Sequence, residues 1–116
     1  MPVIDARVWV SRFLRTDVAH ERSKKWFAEA AEKQLALYAP AVVLPEVAAA
    51  ISRTRERSDG DELANEALAV LRASGVKIID VSLVLGTKAA QIANQCRVRG
   101  CDAVYIALAE QLSETQ

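Results

Sequence analysis

Three acidic side chains stand out by their surroundings: Asp5 after the apolar pair Val3-Ile4, Glu46 directly after Pro45, and Asp102 two residues after Gly100. Carboxylate oxygens are hard donors of the type that magnesium and manganese prefer, and magnesium keeps several waters when bound. Carboxylates crowded together repel one another, and a dication relieves that repulsion. A metal so held orients and deprotonates water and stabilises charge on a phosphate in transfer. Each acid also has a structural explanation. Asp102 suits a helix N-cap after Gly100, Glu46 suits the positive end of a helix dipole, and Asp5 suits the cap of a helix following the first strand. Periodicity alone does not bring the three side chains together.

Other chemistries find less support. His20 is the single histidine and reads as an exposed helix residue, so a Ser-His-Asp set finds no support. Four glycines contain no phosphate-cradling loop. Cys96 and Cys101 have no second Cys or His pair at zinc spacing and make no disulfide framework. They read as small, buried or half-buried thiols. Arg53 follows Glu46 about two turns on and is within reach of a bound phosphate. A solvated helix face is the plainer reading of Arg53, as of Arg12 and Arg15. No aromatic stacking platform for single strands is present.

The elements that must position these residues follow from the pattern of apolar and turn residues. Val3-Ile4 reads as a short buried strand, followed at once by a helix carrying Val8, Trp9, Phe13 and Leu14. Asp17 caps a second helix from Val18 to about Gln34, with Trp26, Phe27 and Ala30 inward. Leu35 to Ala39 reads as a second strand closed by Pro40. Pro45 opens a third helix, where its missing N–H costs nothing, and that helix ends near Arg57. Ser58 to Asp61 is a turn, and a fourth helix runs from Asp61 to Ala73, stopped by Gly75. Val76 to Ile79 is a third strand ending at Asp80. Ser82 starts a fifth helix reaching about Arg99. After Gly100, Asp102 begins a last helix to about Leu112, apolar nearly all round and so buried. Strands alternating with helices imply βαβ units and a parallel sheet, whose sites form at the carboxyl ends of the strands.

With 116 residues, one domain spanning 1–116 is expected. Fifteen basic residues balance fifteen acidic ones, so no overall field draws the chain to nucleic acid. Any such partner must be held by a local patch or a bound metal. A charge at Asp5 argues against a signal peptide, and no apolar run approaches the roughly 20 residues that span a bilayer. The cytoplasm is the expected compartment.

Val3-Ile4-Asp5-Ala6, Pro45-Glu46-Val47-Ala48-Ala49-Ala50 and Gly100-Cys101-Asp102-Ala103-Val104-Tyr105-Ile106-Ala107-Leu108-Ala109 together resemble the PIN domain family, in particular its VapC-like toxin branch. The resemblance covers nearly the whole chain, and the last motif is the most specific. It implies a three-layer α/β/α domain with a short parallel sheet. It further implies a ribonuclease dependent on Mg2+ or Mn2+, with Asp5, Glu46 and Asp102 as metal ligands and catalytic acids. RNA is the implied substrate, a small antitoxin and a second copy of the chain the implied partners. The chain departs from the family at two places. Arg7 stands where Ser or Thr is usual, two residues after the first acid, and is placed to contact RNA phosphate, as is Arg53. The sequence also ends at Gln116, before a further strand that commonly carries a fourth acid. Glu110 is a poor substitute, since eight helical residues separate it from Asp102 by roughly 12 Å. These departures keep a second reading open, a catalytically weak PIN-like module for binding or dimerisation.

Overall fold

The computed structural model describes residues 2–54 and 59–114. Helix α1 (Ala6–Phe13) and helix α2 (His20–Glu32) lead to strand β1 (Tyr38–Pro40). Helix α3 (Val43–Arg53) and helix α4 (Asp59–Ala73) lead to strand β2 (Lys77–Ile79). Helix α5 (Leu83–Cys96) and helix α6 (Gly100–Glu114) follow.

The strands pair in parallel, Tyr38 with Lys77, Ala39 with Ile78 and Pro40 with Ile79. Val3 adds a parallel bridge to Tyr38 on the other side of β1. Parallel neighbours need long crossovers, here the α1–α2 pair and the α3–α4 pair. Consecutive strand residues face opposite sides of a sheet. Accordingly, Ile78 packs on a core holding Trp9, Val43, Val47, Ile51 and Leu71, while Ile79 packs on a second core holding Leu85, Ala89, Ala103 and Leu108. The thin sheet thus separates α1–α4 from α5–α6, a three-layer α/β/α arrangement of the expected class.

Several boundaries differ from expectation, each for a local reason. The first strand shrinks to the Val3 bridge, although Ile4 N–H still donates to Tyr38 O at 2.9 Å. The second strand starts at Tyr38 rather than Leu35 and includes Pro40, whose missing donor is bypassed when Ala41 N–H reaches Ile79 O at 2.8 Å. Helix α3 begins two residues before Pro45, which still lies in the first turn, where N–H groups have no partner inside the helix. Asp17 accepts the Ala19 N–H at 2.8 Å just ahead of α2 instead of capping it directly. Of the expected turn, Asp59 to Asp61 belong to α4, and Ser58 lies outside the described residues, as does Arg57. Arg97 closes α5 in the left-handed conformation, at φ 55°, and Gly100 opens α6 rather than breaking it. Asp102 is therefore the third residue of α6, not its cap. That helix is not buried all round, since Ile106 is 40% exposed. Cys96, Cys101 and Trp26 are likewise exposed rather than inward. Two local readings coincide with the structure: Ser82 caps α5 by accepting the Leu85 N–H at 3.1 Å, and Gly75, at φ +82°, follows α4 in a conformation that only glycine adopts cheaply. Among the described residues, no helix is long and apolar enough to cross a membrane.

Candidate functional site

Helices α1, α3 and α6 bring their first turns to one end of the sheet. Asp5 is the N-cap of α1: its extended backbone, φ −68° and ψ 149°, frees Oδ1 to accept the Arg7 N–H at 2.9 Å. Glu46 lies in the first turn of α3, and its Oε1 accepts the Tyr105 hydroxyl at 2.7 Å. Asp102 lies in the first turn of α6, with its Oδ2 3.3 Å from Arg99 Nε. All three acids line one cleft of about 500 Å3. Arg7, Arg53, Arg99 and Cys101 share its walls, and Ala49 and Ala50 keep part of its lining short.

Tyr105 ties the cleft to the core. Burial raises its phenol above the usual value of 10, the Glu46 hydrogen bond and charge raise it further, and the Asp5 charge adds to them. The phenol is thus a dedicated donor to Glu46. The Cys101 thiol is also raised, by desolvation first and then by Glu46 and Asp102, with Arg99 opposing. A thiol held protonated is a weak nucleophile.

The donor set matches a hard dication in kind, since it consists of carboxylate oxygens open to solvent-sized molecules. The hydrogen bonds to Arg7, Arg99 and Tyr105 each engage one oxygen of an acid. The side chains are not preassembled: among the described residues, no three acid, histidine or cysteine groups are gathered closely enough to hold a metal. Each acid is instead turned to its own neighbour.

Asp80 is exposed after β2 and absent from the cleft lining. Glu110 is 3.4 Å from Lys88, farther along α6. His20 is not an exposed residue, because its Nδ1 lies 2.9 Å from Ser11 O. It lines a separate cavity of about 570 Å3 with Arg12, Arg15 and Lys24, where Glu66 is the one acid in the described lining. That cavity is larger than the acidic cleft but offers no carboxylate set. Arg99 and Tyr105 were not anticipated. Arg99 immediately precedes α6, where its carbonyl accepts the Ala103 N–H at 3.0 Å, so its side chain lies beside the first turn that carries Asp102. Tyr105, three residues after it, is a phenol within the otherwise apolar run from Ala103 to Ala109 of α6, and a buried phenol needs a partner.

Against known protein families, the chain matches the PIN domain over residues 3–115. No curated protein matches it. Among solved structures, it resembles the crystal structure of Mycobacterium tuberculosis VapC20, a sarcin-ricin loop cleaving toxin, with a TM-score of 0.82 and 18% identity over 97% of this chain and 84% of that one. At that identity the likeness speaks for the fold alone.

Proposed function

The chain belongs to the PIN domain family, and on that premise we propose that it is a metal-dependent endoribonuclease, the toxin of a toxin–antitoxin pair, acting in the cytoplasm as a homodimer. The observation that carries the reading is the convergence of Asp5, Glu46 and Asp102, from three distant stretches of chain, on one cleft. These acids would hold Mg2+ or Mn2+. When bound, such an ion supplies Lewis acidity and lowers the pKa of a coordinated water.

The chain's own groups account for the rest. Tyr105 stays protonated and steadies Glu46 through Oε1, so that side chain keeps its place in the wall. Arg7 and Arg53, on the cleft wall and exposed, attract the phosphates of an RNA strand. Cys101, held protonated, is a poor covalent nucleophile, and an in-line attack on the phosphodiester by water needs no covalent protein intermediate. An antitoxin would occupy the same cleft by presenting Arg or Lys to the carboxylates.

Incubation of labelled RNA with and without Mn2+, beside Asp5→Asn, tests it. Asparagine is as good an N-cap as aspartate, so the variant keeps α1 while losing a charge. Cleavage that requires the ion and drops at least about a hundredfold in the variant is expected. Equal cleavage by both proteins would mark a contaminant and remove the enzyme. Arg7, and the separate engagement of each acid, favour a second reading as a weak or inactive binding module. That reading predicts RNA or partner binding with no cleavage at any ion concentration.

A further inference from the structure

Arg99 differs from the other two arginines of the cleft. Among the described residues, it is the one that makes an ion pair with a cleft carboxylate, Nε to Asp102 Oδ2 at 3.3 Å. Its side chain is 78% exposed, against 34% for Asp102. A solvent-facing pair three residues apart is among the weaker ionic contacts, so the partnership is easily exchanged. The bond to Asp102 uses Nε. The two terminal amino groups are the planar fork that fits phosphate in bidentate fashion. One carboxylate cannot fully satisfy a guanidinium and a dication at once. While Asp102 faces Arg99, it also cancels the field by which that guanidinium would draw a phosphate.

We propose that Arg99 is a phosphate-binding residue gated by Asp102: it is parked on that carboxylate and passes to an RNA phosphate when the carboxylate's charge is taken up elsewhere. The inference rests on the reading of the cleft as an RNA site. It assigns Asp102 a second task besides binding metal, the control of when Arg99 becomes available. No bond is made or broken in the exchange; the guanidinium changes partners.

The test needs no ion and no turnover. Binding of a short fluorescein-labelled single-stranded RNA is measured by anisotropy in EDTA at low salt, for the wild type, Arg99→Gln, Asp102→Asn and the double variant. Removing a negative charge strengthens RNA binding by itself, and the double-mutant cycle subtracts that effect. With Asp102 present, Arg99→Gln weakens binding by less than about twofold, because the arginine is already engaged. In the Asp102→Asn background, the same change weakens it about fivefold or more and lowers the salt slope by about one phosphate contact. An equal effect in both backgrounds, or a larger one with Asp102 intact, overturns the gating. If the wild type binds RNA and the two ratios agree, this inference alone falls. If no protein binds RNA, the proposed substrate falls with it.

Discussion

Helix α6 carries acids at both ends, and the two ends hold them differently. Near its C-terminus, Glu110 and Glu114 both reach Lys88 of α5, at 3.4 and 3.1 Å. The Lys88 ammonium is correspondingly favoured: its pKa is raised chiefly by the hydrogen bond to Glu114, against some desolvation. Near its N-terminus, Asp102 pairs with the local Arg99, and Glu46 opposite is held by a neutral hydroxyl. The far acids use their charge to tie two helices together. The near acids sit in a concave wall, where a field is focused rather than dispersed. Acid count alone does not mark a site; what matters is whether the charge is already answered by a distant part of the fold.

The strongest challenge to this contrast is a pair of isosteric neutralisations. Glu46→Gln is expected to lower metal-dependent RNA cleavage by at least about a hundredfold, while Glu110→Gln stays within about twofold of the wild type. Comparable losses in the two variants would erase the distinction between the ends. Midway along the helix, Leu108 is fully buried. Leu108→Ala is expected to cost about 3 kcal/mol in urea unfolding, since both ends depend on the same anchor. A loss below about 1 kcal/mol would mean that the middle of α6 is not what positions Asp102.

Tyr105→Phe sharpens the comparison at the near end. At neutral pH without metal, loss of the Glu46 bond is expected to cost about 1 kcal/mol. Because the folded-state pKa of Tyr105 is raised above its ordinary 10, its contribution is fully present below that value. It is lost as pH rises beyond it, where the unfolded chain releases the proton first. Melting temperatures taken from pH 8 to pH 11 should therefore fall more steeply for the wild type than for Tyr105→Phe. Parallel curves would place the phenol in an ordinary environment. The smallest effect belongs to the far end: Lys88→Met should shift the melting temperature only slightly, and high salt should abolish the shift.

Much of this was legible along the chain, because much of it is decided locally. The Ser82 cap, the stop at Gly75 and the strand before Asp80 each depend on residues within a few positions of one another. The three acids that share the cleft also stood out along the chain, through the residues flanking them. What escaped depends on contacts between distant segments. Tyr105 and Glu46 are 59 residues apart, and no periodicity links them. His20 looked like a surface residue until α1 folded back and offered it the Ser11 carbonyl. The acid Asp102 looked like a cap because glycine before it suggested a break, whereas α6 starts at that glycine.

Helix α1 has only eight residues, short for a structure that must nucleate itself. In its opening turn the Asp5 carbonyl accepts the Val8 N–H at 3.0 Å, and the Asp5 side-chain Oδ1 holds the Arg7 amide at 2.9 Å. That amide hydrogen is accordingly a built-in gauge. Any ligand that drew the oxygen away would quicken its exchange with deuterium, and any ligand content with the other oxygen would slow it, so one resonance in a heteronuclear spectrum could follow the occupancy of the whole cleft.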